Sequence, residues 1–131
     1  MSLDIGDNRI GIAVFYGDGT PVIPIGFIQR RTLKLDITEL LQWSSQRYID
    51  EYVIGMPYTL SGGVSYQTRK VQRFVKDLAR STSLPIHLVD ESFTTFEADS
   101  IMKDRGEQPS RNRGDLDAMA AALILERFLQ S

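Results

Sequence analysis

Apolar positions along this chain are spaced first as strands and later as helices. Ile10 to Tyr16 (Ile-Gly-Ile-Ala-Val-Phe-Tyr) is a β-branched and aromatic run that stops at Gly17-Asp18-Gly19-Thr20, a turn with Asp-Gly at its centre. Val22 to Ile28 reads as another strand, and Pro24 inside it places that strand at a sheet edge, because proline has no N–H to give to a ladder. Ahead of both, Met1-Ser2-Leu3-Asp4-Ile5-Gly6 is a short apolar segment with almost no lead-in, a strand clipped at its start. Three such segments joined by short polar turns predict an antiparallel meander.

The period then changes. Asp36 and Glu39 stand in capping-box spacing and predict a helix start, with Ile37, Leu40, Leu41 and Tyr48 as its buried stripe. Tyr52-Val53-Ile54 is a short strand ending at Gly55-Met56-Pro57, reached through a helix and therefore paired in parallel. A polar glycine loop from Thr59 to Ser65 leads to a helix with Val71, Phe74, Val75, Leu78 and Ala79 at helical spacing. Pro85 to Glu91 is the fifth strand. Thr94 with Glu97 opens a helix through Ile101 and Met102, for which Gly106 is a stop signal. After a polar loop from Glu107 to Gly114 comes a last helix, about Asp115 to Gln130, whose centre from Ala118 to Leu125 is apolar all round and so should be buried. The order βββ-α-β-α-β-α-α predicts an α/β fold with helices on both faces of a mixed five-stranded sheet.

At 131 residues the chain fits one domain, residues 1–131. It has no cysteine, which removes disulfides, thiolate metal sites and cysteine nucleophiles; its one histidine, His87, removes any site that needs two imidazoles. Neither a long apolar run nor a secretory signal is visible, so the expectation is a cytoplasmic protein with no membrane partner. Fifteen basic against seventeen acidic residues give a net charge of −2, so any contact with nucleic acid must rest on local patches. Three such groups exist: Arg30, Arg31 and Lys34; Arg69, Lys70 and Arg73; and Lys103, Arg105, Arg111 and Arg113 against Asp104 and Glu107. Each is also an ordinary solvated face.

The acids are the more informative residues. Asp4 lies inside an apolar strand, Asp90 and Glu91 at the end of another, and Asp117 at the start of an apolar helix with Ala121, Ile124 and Phe128 on its face. Carboxylates are rarely buried alone, because desolvating their charge is costly. Asp115 and Asp117 can be read as negative charge at a helix N-terminus, but Asp4 has no capping role to play. Either each acid has a local partner or several converge on a divalent cation; oxygen-only ligation suits magnesium or manganese. Asp90 and Glu91 point to different faces of their strand, so one of them at most shares a site with Asp4. Asp4-Ile5-Gly6 can bring backbone close to a phosphate, and equally can be a plain hairpin turn.

Asp4-Ile5-Gly6-x-x-Arg9-Ile10-Gly11-x-Ala13 resembles the start of the YqgF family, also called RuvX or Holliday junction resolvase-like proteins. The resemblance continues through Ile54-Gly55-Met56-Pro57, the Gly62 loop, Val89-Asp90-Glu91-Ser92-Phe93-Thr94-Thr95 and Asp117-x-x-Ala120-Ala121-x-Leu123-Ile124-Leu125, in order and over essentially the whole chain. It implies the ribonuclease H and RuvC fold, with strand order 3-2-1-4-5, and an acidic triad of Asp4, Glu91 and Asp117, with Glu91 ending the strand neighbouring that of Asp4. It also implies a metal-dependent nuclease processing the 5′ end of precursor 16S ribosomal RNA. Ser92 stands where the family commonly has arginine, a departure that bears on one phosphate contact the resemblance would imply.

The resulting expectation is phosphodiester hydrolysis with two magnesium (or manganese) ions, Asp4 shared between them and Glu91 and Asp117 completing the two sides. Arg9, Arg111 and Arg113 are the candidate phosphate clamps. With no metal, converging carboxylates should raise the pKa of at least one of them. The partner is precursor ribosomal RNA or branched DNA, acted on by a monomer or weak homodimer. Two rivals share the fold: half of an actin, Hsp70 or sugar-kinase nucleotide site, which needs a second lobe, and a non-catalytic RNA-binding scaffold.

Overall fold

The computed structural model describes residues 1–91 and 113–131. Strands β1 (Ser2–Ile5), β2 (Arg9–Val14) and β3 (Ile23–Gln29) are followed by α1 (Leu33–Gln46), β4 (Tyr52–Met56), α2 (Tyr66–Ser81), β5 (Ile86–Asp90) and α3 (Arg113–Gln130). The five strands form one sheet in the order β3-β2-β1-β4-β5. β1 pairs antiparallel with β2 and β2 with β3, while β1–β4 and β4–β5 are parallel. The expected mixed sheet and its strand order are therefore present. Pro24 lies on the edge strand β3, opposite Ala13, where the β2–β3 register shifts. The helix expected from Thr94 and the loop carrying Arg111 lie outside the described residues.

The two faces of the sheet are built differently. On one, Leu3, Ile5, Ile10, Ile12, Val14, Ile28, Tyr52, Ile54 and Met56 meet Ile37 and Leu40 of α1 and Val71, Phe74 and Leu78 of α2 in a single large cluster. On the other, α3 lies close on small residues: Ala13 packs with Ala121 and Ala122, and Val53 with Ile124 and Leu125. Buried Ser2 donates its hydroxyl to the carbonyl of Ala121 at 2.6 Å, which fixes the height of α3 above β1. Large side chains hold α1 and α2 away from the sheet, and small ones let α3 approach it. Among the described residues no helix is long and apolar enough to cross a membrane.

Three element boundaries differ from those the sequence predicts. α1 begins at Leu33, not Asp36: Thr32 is the N-cap, and its Oγ1 accepts from Leu35 N at 3.2 Å. Asp36 is buried inside the first turn, accepting from Arg30 Nε at 3.0 Å and from Arg31 N at 2.9 Å, and Glu39 pairs with Arg31 instead of closing a box. Tyr48 lies beyond the helix at φ 54°, 94% exposed, so it is no part of the buried stripe. α3 starts two residues earlier than expected, at Arg113.

Because Asp36 fastens the end of β3 to α1 from a buried position, Asp36→Ala should cost about 3 kcal/mol, whereas Glu39→Ala, which breaks an exposed pair, should cost under about 1 kcal/mol. Urea unfolding of the two variants checks the contrast.

Candidate active site

The site is organised around Asp4, on the central strand. In the β1–β2 ladder Asp4 stands opposite Gly11. In the β1–β4 ladder Ser2 pairs with Val53 and Leu3 with Ile54, so the next residue beside Asp4 is Gly55. Asp4 thus rises from the sheet between two residues without side chains, and both gaps are used. A Cβ on Gly55 would stand 2.5 Å from Ile124 Cδ1 and 2.9 Å from both Cβ and Oε2 of Glu91. A Cβ on Gly11 would overlap the carbonyl oxygen of Asp117. Glu91 therefore leans in over Gly55, and the first turns of α3, carrying Asp117, settle over Gly11. A glycine inside a strand marks such a close approach.

Glu91 does not end the strand next to Asp4, as expected, because β4 lies between β1 and β5. The chain beyond β5 is tied to β4 by Glu91 N donating to Met56 O at 3.1 Å. Along the pleat Val89 and Glu91 fall on the face of Gly55, and Asp90 falls on the other. Missing bulk at Gly55 then lets the Glu91 carboxyl lean across a whole strand towards Asp4, close enough for each to shift the titration of the other.

Two carboxyl groups can share a hydrogen bond only if one keeps a proton. Burial is the largest cause of the shift of Glu91, followed by the charge of Asp4, the hydrogen bond to it and the charge of Asp90; together they push its carboxyl up to about 10. Burial also raises Asp4, with the bond from Glu91 opposing it and the charge of Asp117 adding to it. Asp117 is raised by burial as well, against the hydrogen bond and charge of Arg9 and the charge of Arg113. All three acids are raised, with burial the largest cause in each; the charge of a neighbouring carboxylate adds to it at Asp4 and Glu91.

Arg9, the first residue of β2, donates Nε to Asp117 Oδ2 at 2.5 Å, with both side chains about three-quarters buried. In the chain alone its guanidinium therefore faces Asp117, one of the acids that the sequence singles out. Arg113 is exposed on the first turn of α3, and Arg111 lies outside the described residues. Among the described residues no three acidic or imidazole side chains converge in the manner of a metal site. Asp4 and Glu91 do converge, and a pair that retains a proton where free carboxylates would be ionised fits a divalent cation bound in the proton's place. Asp117 completes an all-oxygen set only by exchanging Arg9 for that cation.

Sequence reasoning singles out the acids but not the clearance beside Asp4 that lets Glu91 lean over it. In the sequence Gly55 reads as the stop of a strand, yet it is buried inside β4. Gly11 reads as an ordinary position of the second strand, yet it is the ladder position that α3 covers. A mid-strand glycine on each neighbour of an acidic strand is the available signal.

The proton on Glu91 has a consequence for stability. The folded chain holds it up to about pH 10, while the unfolded chain releases it near the ordinary value of 4.5, so folding takes up a proton between those limits. The contribution of Glu91 to stability is full below pH 4.5 and is lost as the pH rises towards 10. Urea midpoints of the metal-free protein should therefore carry a falling component over that range, and Glu91→Gln, which keeps a donor towards Asp4 without a charge, should remove it. Gly55→Ala should lower stability by about 1–3 kcal/mol through overpacking against Ile124 and Glu91, and should bring the titration of Glu91 back towards the ordinary carboxylate range by NMR.

Comparison with known proteins identifies the family and the fold. The profile of the RuvX family, described as Holliday junction resolvase, matches residues 1–131. A protein of Synechococcus elongatus named "Putative pre-16S rRNA nuclease" is 38% identical over 98% of this chain and 87% of its own length. One of the same name from Picosynechococcus is 36% identical over 100% of this chain and 91% of its own. The structure of Thermus thermophilus RuvC superimposes with a TM-score of 0.56 at 12% identity, covering 98% of this chain and 93% of that one, which identifies the fold as ribonuclease H-like. The whole-chain profile match and relatives above one-third identity place this chain in the RuvX family.

Proposed function

We propose that this chain is a divalent-metal-dependent nuclease that hydrolyses phosphodiester bonds of precursor ribosomal RNA at Asp4, Glu91 and Asp117. The observation that carries the proposal is the Asp4–Glu91 pair, two carboxyls from strands that are not neighbours, held together over Gly55 at the cost of keeping a proton. At neutral pH such an arrangement costs the fold stability, because Glu91 must take up a proton to fold, and perturbed acids of this sort cluster where chemistry is done. The names of the relatives supply the RNA substrate, and the description of the family supplies a second one, branched DNA.

Asp4, Glu91 and Asp117 are the residues that would hold magnesium or manganese. When bound, such an ion lowers the pKa of water and stabilises charge on the leaving oxygen. The chain's own part begins with charge. While the proton is shared, Asp4 and Glu91 together carry one negative charge, so an approaching phosphate meets less repulsion than two carboxylates would give. Arg9 holds Asp117 over Gly11 and keeps a cation at the edge of the site, the sign that a phosphodiester requires. No side chain is needed as a covalent nucleophile, which suits a chain without cysteine.

Asp4→Asn should reduce cleavage of a labelled ribosomal RNA precursor in magnesium at least a thousandfold, and leave affinity for the same RNA equal or higher, because asparagine keeps the shape and removes a charge that repels phosphate. Cleavage assays and filter binding on one preparation check both halves. Cleavage of a four-way DNA junction but of no RNA by the parent would favour the second substrate. Unchanged cleavage by Asp4→Asn would place the activity elsewhere. In the same preparation, millimolar magnesium should raise the Tm of the parent and leave that of Asp4→Asn nearly unmoved.

A further inference from the structure

α2 carries five of the chain's fifteen basic residues, Arg69, Lys70, Arg73, Lys76 and Arg80, against one acid, Asp77, on a protein whose net charge is −2. Arg69, Arg73, Lys76 and Arg80 recur at i, i+4, i+7 and i+11, which sets them in one row along the helix, roughly 16 Å from end to end at 1.5 Å per residue. All are exposed. Lys70 is engaged with Asp7 at 3.1 Å, and Arg80 with Asp77 at 3.7 Å. Among the described residues Arg69, Arg73 and Lys76 make no ion pair, so the middle of the row presents charge to solvent. Arg73 lies between two surface depressions, one of about 320 Å³ shared with Arg30, Leu33, Lys70 and Phe74, the other of about 620 Å³ shared with Gln72, Lys76, Asp77 and Arg80.

The row starts beside the site. Thr68 in the first turn of α2 donates to Pro57 O at 2.6 Å, just past the end of β4 and of Gly55. Lys70 reaches Asp7 in the β1–β2 turn, three residues beyond Asp4, and Arg30 donates to Gly6 O in the same turn at 2.9 Å. At this leading end Tyr66 is 75% exposed, with Lys70 Nζ 4.5 Å from the centre of its ring.

We propose that the cationic row of α2 is a track for the backbone of single-stranded RNA outside the catalytic site, with Tyr66 stacking a base where the strand turns towards Asp4. The inference rests on the nuclease reading above. A row of unpaired cations fits a linear polyanion, and an exposed aromatic at its end fits unstacked bases, which an acidic peptide lacks.

The test uses the full chain with Asp4→Asn, so that RNA is bound and not cut, and compares it with the same chain also carrying Arg69→Gln, Arg73→Gln and Lys76→Gln. Affinity for a twenty-nucleotide and a four-nucleotide single-stranded RNA is measured across a salt series. For the long RNA the added substitutions should weaken binding ten- to a hundredfold at low salt. They should also reduce the log–log salt slope by about 2, at about 0.7 for each phosphate that the variant no longer neutralises. For the short RNA the change should be less than twofold. Tyr66→Ala should weaken the long RNA several-fold without altering the slope. Equal weakening for long and short RNA, or none for the long one, overturns the track. So does an acidic peptide that binds the parent and not the triple variant while RNA binding is the same in both. If the parent binds neither RNA, the nuclease reading itself fails, an outcome distinct from failure of the track. Thermal melting confirms that the exposed substitutions leave the fold intact.

Discussion

A carboxylate on the middle strand of a sheet is the constraint on which this structure turns. Asp4 cannot be accommodated by packing, because its charge needs water, a partner or an ion. The sheet answers by removing side chains on both sides of it. Gly11 and Gly55 leave space beside Asp4, and that space is taken by Asp117 on α3 and by Glu91 from beyond β5. The same requirement shapes the whole α3 face, where Ser2, Ala13, Ala121 and Ala122 keep the helix low enough for its first turn to reach the site. The opposite face has no such duty and is filled with Leu, Ile, Tyr and Met.

The three acids are treated unequally, and the inequality is chemical. Asp4 and Glu91 hold a proton between them, while Asp117 is held by Arg9. Negative charge is thus neutralised by two means, and both are reversible. A cation can replace the proton, and a phosphate can compete for the guanidinium. The arrangement stores an acceptor site for positive charge at the carboxyl ends of β1 and β4, the edge from which the basic row of α2 departs.

Much of this is legible in the sequence because the signals are local. The meander follows from Asp18-Gly19 and from Pro24, and the crossover strands follow from helices placed between short apolar runs. Asp4 stands out because an acid inside an apolar strand has no capping role. What is not legible depends on distance across the fold. Asp36 has the look of a helix start because it precedes an apolar period with Glu39 three residues on; only the position of Arg30 makes it a buried partner. Arg9 suggests a phosphate contact because nothing in the sequence places it beside Asp117, 108 residues away. The strand neighbours of Glu91 cannot be read from its motif, because its reach depends on a missing Cβ in the strand between.

If one proton sits between Asp4 and Glu91 and a divalent cation takes its place, binding must expel that proton, because the ligands of a metal are deprotonated. Titration calorimetry with magnesium at pH 7, in buffers of different ionisation enthalpy, counts the protons expelled. Release of about one proton per chain is expected from the parent, and none from the Glu91→Gln variant. Magnesium binding to the parent with no proton released would contradict the shared proton and the exchange built on it.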